Sequence, residues 1–424
     1  MMKAIAIPFW LLGLLILIII ILGLIVWSVK RRRRPNLEQT AGDDASLLPT
    51  MAGLLQSTIV GGNAVELIQN GEFFQRLFAD LKAARSTINI ETFLCKEGEL
   101  THQLTEILLA KMKEGIEVRM LLDGSGGRKF GNRDAKRLRD AGCSMRKFHP
   151  FRISNLGRLN QRTHRKIAVI DGRLGYVGGH CLVDTWLGHA EDKQHFRDIT
   201  ARIQGPVVNE LQSAFTDNWI EETGEVIAGE KFFPVLEKCG SSQAQIVFVS
   251  PTGGPSTLKL LHYAAITSAK KSITIQNPYF LPDPDARKAL LDAVKRGVEV
   301  RVMIPATPAT DAKLVSHASH HHYGTLLKGG VRMFDYEQTL LHQKVFTVDR
   351  TWSSIGSTNF DDRSFEINDE VSLVVYDEAI ARQLEETFDA DAKKAKERKL
   401  EEWKKRPAGH KLVDFSAFLV NEQL

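Results

Sequence analysis

The chain carries the pattern His-x-Lys-x4-Asp twice, as His164-Arg165-Lys166 with Asp171 and as His342-Gln343-Lys344 with Asp349. At about 5% per residue type, one such three-letter match arises by chance in roughly one chain of this length in twenty. Two matches at corresponding places of an internal repeat are another matter. Both also continue alike: after six intervening residues come Gly178-Gly179 and Gly356-Ser357. These residue types suit exchange at a phosphodiester, which needs a nucleophile, an acid for the departing alkoxide and cations for the non-bridging oxygens. Two histidines, one neutral and one protonated, supply the first two near neutral pH. Lys166 and Lys344 supply the cations, so the expected chemistry uses no metal and no cofactor. Each motif alone is half of such a site, and spacing does not say which histidine attacks.

Each motif runs into an apolar stretch, residues 167–170 and 345–348, that reads as a buried strand. On an extended chain residues two apart point the same way, so each His and Lys share a face and reach one phosphate. Asp171 and Asp349 complete the catalytic motifs but lie an odd number of residues from the histidines, at a turn. They are expected to support structure and not to touch substrate. Around the motifs the sequence repeats itself. Ala84-Arg85-Ser86-Thr87-Ile88-Asn89-Ile90 resembles Ala269-Lys270-Lys271-Ser272-Ile273-Thr274-Ile275, and Lys113-Glu114-Gly115-Ile116-Glu117-Val118-Arg119 matches Lys295-Arg296-Gly297-Val298-Glu299-Val300-Arg301. Each half reads helix, apolar strand, helix, Gly break, apolar strand, which implies an α/β unit with its strands covered by helices. Gly205-Pro206 starts a helix with Val207, Val208, Leu211, Phe215 and Trp219 on one face. It closes the first half. The expected units are residues 58–235 and 245–424, the second including a C-terminal tail.

These residues resemble the phospholipase D superfamily over about residues 58–424, and within it the bacterial cardiolipin synthases. The likeness rests on Leu159-Asn160-Gln161-Arg162-Thr163-His164-Arg165-Lys166, on Asn277-Pro278-Tyr279-Phe280, and on Gly356-Ser357-Thr358-Asn359 running through Arg363-Ser364-Phe365-Glu366 to Asn368 and Glu370. The resemblance implies two similar phospholipase D-like α/β domains related by a pseudo-twofold, and a phosphohistidine intermediate. It implies a phosphatidyltransferase that joins two phosphatidylglycerols into cardiolipin and releases glycerol. It makes His164 the nucleophile, has Ser357 and Glu370 orient His342, and gives Asn359 a phosphate oxygen; in the first half Asp198 takes the place of Glu370. Phosphatidylglycerol and other glycerophospholipids are the implied partners. The rival readings are a phospholipase D hydrolase with water as acceptor, a nuclease, and an inactive lipid-binding scaffold. One departure stands out. The family's first motif ends Gly-Gly-x-Asn, but here the Asn position is Cys181, and a thiol is a weak donor beside an amide. His180 would face the other way from Cys181 on a strand and so is a poor substitute.

From Ala4 to Val29 no residue is charged, a stretch long enough for one N-terminal transmembrane helix (residues 4–29). Lys30 to Arg34 follow it directly whereas only Lys3 precedes it, which places the bulk of the chain in the cytoplasm against the inner leaflet of the cell membrane. Residues 30–57 read as a basic juxtamembrane linker. Of 56 Lys and Arg, Lys3 and Lys30 to Arg34 account for six, leaving 50 against 51 acidic residues. Near-neutrality of the folded part argues against nucleic acid as a partner. Cys95, Cys143, Cys181 and Cys239 show no paired spacing. His317, His320, His321 and His322 have helical spacing, read as a helix face near the site and not as metal ligands. Tyr279, Phe280 and Leu281 could pack under the site or meet acyl chains, and Glu91 and Thr92 could line a pocket. Ala379 to Lys405 reads as a solvated amphipathic helix, and Phe415, Phe418, Leu419 and Leu424 as an apolar patch docked on the core.

Overall fold

The structure is a computed structural model that describes residues 8–29, 52–53, 55, 57–152, 155, 158, 160–251 and 256–418. The basic run Lys30 to Arg34, most of the linker, and Leu419 and Leu424 lie outside the described residues. Helix α1 spans Phe9–Val29. Its side chains are described as far as Ile21 and all stand exposed. Among the described residues no helix is long and apolar enough to cross a membrane.

The first half runs β1 (Val60–Gln69), α2 (Glu72–Ala83), β2 (Thr87–Thr92), α3 (Glu99–Lys113), β3 (Glu117–Asp123), α4 (Asn132–Asp140), β4 (Ser144–Phe148), β5 (Ile167–Ile170), β6 (Leu174–Gly178), β7 (Ile199–Gln204) and α5 (Val208–Thr223). The second repeats that order: β8 (Ser242–Val249), α6 (Thr257–Ser268), β9 (Ser272–Gln276), α7 (Pro284–Lys295), β10 (Glu299–Pro305), α8 (Lys313–Lys328), β11 (Arg332–Tyr336), β12 (Val345–Val348) and β13 (Trp352–Gly356). A short α9 (Asp362–Glu366) precedes β14 (Glu370–Tyr376) and α10 (Glu378–Ala392). Then come β15 (Ala395–Glu397), α11 (Leu400–Lys404) and α12 (Ala408–Phe418).

The fifteen strands among the described residues form one sheet, ordered β15-β11-β10-β9-β12-β13-β14-β8-β1-β7-β6-β5-β2-β3-β4. Read outward from the β8–β1 pair, the two directions give the same succession of elements, with β15 added on one edge. The halves therefore join through backbone hydrogen bonds. Asn63 fastens this antiparallel pair: it is buried, donates to the carbonyls of Val60 (2.8 Å) and Ser242 (3.2 Å), and accepts from the Val207 amide (2.9 Å).

The motif strands β5 and β12 are buried at every position and lie mid-sheet, between β2 and β6 and between β9 and β13. Burial on both faces explains their unbroken apolar runs. A core with Phe74, Leu104 and Tyr176 forms in the first half, and one with Leu261, Leu290 and Val302 in the second. A third core draws on both: Val169, Phe215 and Trp219 pack with Ile246, Leu373 and Leu384. Each such side chain contributes about 1.5–3 kcal/mol when fully buried, so the halves are held by apolar packing as well as by the sheet.

The C-terminal segment departs from the expectation of one solvated helix over 379–405. Ile380, Leu384 and Phe388, spaced i, i+4, i+8, put one face of α10 in the core, and the helix ends at Ala392 so that β15 can pair with β11. The tail docks in part, and Phe415 stays exposed. Ala417 of α12 is buried against Leu281 and Ala318, and the Phe418 ring stacks on His321 at 4.2 Å.

Candidate active site

Two short backbone bridges assemble the site across the seam. Thr163 pairs in parallel with Asp369, just ahead of β14, and Leu341 pairs with Arg197, just ahead of β7. The His164 amide donates to the Asp369 carbonyl and the His342 amide to the Arg197 carbonyl, both at 2.8 Å. Each bridge sets a motif histidine beside an acidic residue of the other half, Glu370 at the start of β14 or Asp198 just ahead of β7. His164 Nδ1 lies 2.9 and 3.0 Å from the Glu370 carboxylate oxygens, and His342 Nδ1 lies 2.8 Å from Asp198 Oδ2. This corrects the expectation that Ser357 and Glu370 orient His342 and that Asp198 serves His164. The pairs are crossed. Ser357 does donate its hydroxyl to Glu370, so both belong to the His164 side. In the first half Gly179 stands where Ser357 stands in the second, and a Cβ there would collide with the Asp198 carboxylate. The Trp186 indole N–H supplies the missing donor to Asp198 Oδ2 at 2.8 Å. Aromatic edges flank both rings: Phe93 meets His164 with centroids 5.2 Å apart, and Trp186 meets His342 at 5.0 Å.

The histidines are 7% and 6% exposed, and the lysines are buried as well. Lys166 Nζ donates to the His164 carbonyl, and Lys344 Nζ to the His342 carbonyl, each at 2.6 Å. Lys344 Nζ also lies 2.9 Å from His342 Nε2. Burial drives the His164 pKa well below the ordinary imidazole range, and the charges of Lys166, Lys344 and His342 push the same way. The two motifs thus act on one another. Burial and Lys344 lower the His342 pKa, against the opposing charges of Asp198 and Asp311. Lys166 is lowered by burial, and Lys344 by burial to about 7; an anionic phosphate would restore the charged form of both. The carboxyls differ. Burial raises Glu370 to about 7 despite Lys166. Burial would raise Asp198 too, but the charges of His180 and His342 and the hydrogen bond from His342 hold it well below the usual carboxylate range. His342 therefore faces an ionised acid, whereas His164 faces one near its midpoint at neutral pH.

The family model described as "Cardiolipin synthase, PLD-like domain" matches residues 77–219 and 263–392. The chain belongs to this phospholipase D-like family. The cardiolipin synthase of Alkalihalophilus pseudofirmus is 34% identical over 404 residues, covering 94% of this chain and 80% of that protein. The major cardiolipin synthase of Bacillus subtilis is 36% identical over 349 residues, covering 81% and 72%. Among solved structures, phosphatidylserine synthase from Haemophilus influenzae superposes with a TM-score of 0.69 at 15% identity, over 89% of this chain and 100% of that one. That likeness shows the fold alone.

Other residues singled out in the sequence fall into place around this phospholipase D-like centre. Asp171 and Asp349 stand apart from it, at the far ends of β5 and β12. Both adopt φ +54°, and each carboxylate accepts three successive backbone N–H groups, those of Arg85, Ser86 and Thr87 and those of Lys270, Lys271 and Ser272. Cys181 is buried, close enough to Lys166 and Lys344 to feel their charge, while burial raises its thiol pKa. His180 is spent on Thr200 Oγ1 (2.8 Å) and the Asn70 carbonyl (2.9 Å) and cannot replace the family's Asn. Asn359 is buried, and its Oδ1 has no hydrogen-bond partner among the described residues. Glu91 is buried away from solvent, accepting from Thr163 and Asn218. Phe280 and Leu281 are core residues, and the Tyr279 hydroxyl donates to Asp311 at 2.6 Å. On α8, His317 and His320 turn Nδ1 to Asp414 of α12, at 2.9 and 3.3 Å. Arg406 holds the other Asp414 oxygen at 2.6 Å, placing a positive charge where a metal ion would need none. Sequence reasoning missed Trp186, Phe93 and Asp311. No local spacing signals them, because they reach the histidines through tertiary packing.

Proposed function

We propose that the chain is a cardiolipin synthase: a phosphatidyltransferase that joins two phosphatidylglycerols and releases glycerol. The observation that carries this reading is the crossed pair of histidine–carboxylate contacts, which makes one site from two motifs, taken with the family to which the chain belongs. With Nδ1 held by Glu370, His164 presents Nε2 to the donor phosphorus, and its strongly depressed pKa keeps that nitrogen unprotonated. The N–P bond forms as the bond to the glycerol oxygen breaks, and His342, steadied by ionised Asp198, gives that oxygen a proton. The acceptor hydroxyl then returns a proton to His342 while its oxygen displaces His164. Lys166, Lys344 and Asn359 hold the non-bridging oxygens. The two units, residues 58–235 and 245–424, related by a pseudo-twofold, each supply half of these groups.

The same reading makes Ala4 to Val29 a single membrane anchor, with the catalytic part in the cytoplasm against the inner leaflet. Its support is the uncharged stretch, the basic run after it, and the exposure of the α1 side chains from Phe9 to Ile21. The test of function is incubation of the purified full-length protein with labelled phosphatidylglycerol and separation of the lipid products. Cardiolipin with equimolar glycerol is expected. Phosphatidic acid as the sole product would replace the transferase with a hydrolase.

A further inference from the structure

A cavity of about 230 Å³ lies beside the second motif, lined by Lys193, Phe196, Thr310, Asp311, Thr339 and Leu340 among others. Four observations give it a role. It adjoins the reacting residues: Leu340 is two residues ahead of His342 and is bonded through its carbonyl to Arg197, while Phe196 packs edge-on against Trp186, which touches His342. Its wall holds a buried polar group with nothing to bond, since Thr339 is 0% exposed and its hydroxyl has no partner among the described residues. Buried hydroxyls are seldom left so, because an unmade hydrogen bond is costly. Its rim holds a cation: Lys193 makes no ion pair among the described residues, its acidic neighbours Glu191 and Asp192 being turned to His195 at 3.2 and 2.9 Å. Finally, the charge of Asp311 reaches His342.

The corresponding position beside His164 is built differently. There Arg162, two residues ahead of the histidine, is buried, donates to the His149 carbonyl at 3.1 Å and lies 3.7 Å from Asp123. The two sides of the centre therefore differ. In-line displacement at phosphorus puts both the leaving and the entering oxygen opposite the attacking His164, on the His342 side. Two residues of extended chain span about 7 Å. In a glycerol phosphodiester the terminal hydroxyl and the phosphorus are five bonds apart, roughly 6 Å when extended.

Resting on the transferase reading above, we infer that this cavity is the acceptor subsite and that it recognises a second glycerol phosphodiester. Lys193 pairs with the acceptor's own phosphate, Thr339 bonds a phosphate oxygen, and Asp311 accepts from the glycerol so that the attacking hydroxyl lies at His342. Water and free glycerol carry no phosphate, so the subsite favours transfer over hydrolysis.

The test varies a short-chain, soluble phosphatidylglycerol as acceptor against a fixed labelled long-chain donor, using the full-length protein. Lys193→Ala should raise the acceptor KM about tenfold, the scale of one charge-assisted contact, and should raise the ratio of phosphatidic acid to cardiolipin. Lys193→Arg should restore both, and Thr339→Val should shift both in the direction of Lys193→Ala. Single-turnover labelling of the protein reads donor cleavage separately. Unchanged acceptor KM and product ratio in Lys193→Ala and Thr339→Val would overturn the assignment. So would an equal loss of labelling and transfer, which would place Lys193 on the donor. Wild-type protein that labels but makes no cardiolipin is a different signature and overturns the transferase reading itself.

Discussion

Replacing either histidine by alanine should abolish turnover, and the double variant should be no slower than the singles, because groups acting as one unit are not additive. Additive partial losses would mean two sites. The crossed contacts add a finer expectation. Glu370→Gln should slow formation of the phosphoenzyme on His164 by about 10²-fold, the scale of general acid–base and orienting contributions, and single-turnover labelling reads this directly. An unchanged labelling rate would leave the Glu370 contact without catalytic meaning. Cys181 supports another test. An Asn in its place would offer an amide donor beside Lys166 and Lys344, and one such donor is worth about 10²–10³ in rate when it meets developing charge. Cys181→Asn should hold kcat steady or raise it; a sharp loss in a well-folded variant would show that the size of the thiol shapes the pocket. The six motif residues were legible because their relation is local spacing. The carboxylates Glu370 and Asp198 came with the resemblance, but their crossed pairing did not: His164 meets Glu370 from 206 positions away, through a bridge that no within-half comparison suggests.

At the scale of elements, Asp171 and Asp349 show how the motif strands are seated. Each carboxylate ties the end of its strand to the start of the neighbouring one, β5 to β2 and β12 to β9, by gathering three amide groups. Asp171→Asn replaces an acceptor oxygen with a donor and should cost about 1–3 kcal/mol, seen as a lower Tm, while activity at low temperature persists. Loss of phosphoenzyme formation with an unchanged Tm would instead put Asp171 in the chemistry. Glu91, at the end of β2, gives a pH test. Burial raises its pKa to about 7 from 4.5, and one of its oxygens has no partner among the described residues, as suits a protonated acid. A raised folded-state pKa means that its contribution to stability is full below pH 4.5 and is lost as pH rises through 7. Glu91→Gln should therefore gain on the wild type between pH 5 and 8, by up to about 3 kcal/mol; parallel Tm curves would contradict this. The repeat and the apolar runs made most strands and helices readable. The segment from Ala379 to Lys405 was misread because its abundant Glu and Lys mask the apolar stripe of Ile380, Leu384 and Phe388 that seats α10 in the core.

The whole molecule adds a question of sidedness and one of reciprocity. If the uncharged N-terminal stretch is the anchor and the basic run faces inward, protease added to intact cells should leave the large part of the chain uncut; cleavage there would reverse the topology. The sequence repeat points to two similar halves, but not to a single sheet running through both, since the β1–β8 pair is bonded mainly by backbone groups that every residue carries. Across that seam each half lends a carboxylate to the other's histidine. Exchange of this kind, in which one surface gives what it receives, is the contact that two identical chains make about a two-fold axis. Here that reciprocity lies within one polypeptide, and it brings a constraint as well as a site. Neither half can drift alone, because the groove shaped for Glu370 is written in the sequence around His164, and that for Asp198 in the sequence around His342. Yet within one chain the halves need not be identical. Glycine can stand at 179 where serine stands at 357, Trp186 can stand in for a hydroxyl, and a buried Arg162 can hold the place that Leu340 holds on the other side. Reciprocity keeps the partners together while the loss of sameness lets the two sides of the centre become chemically distinct.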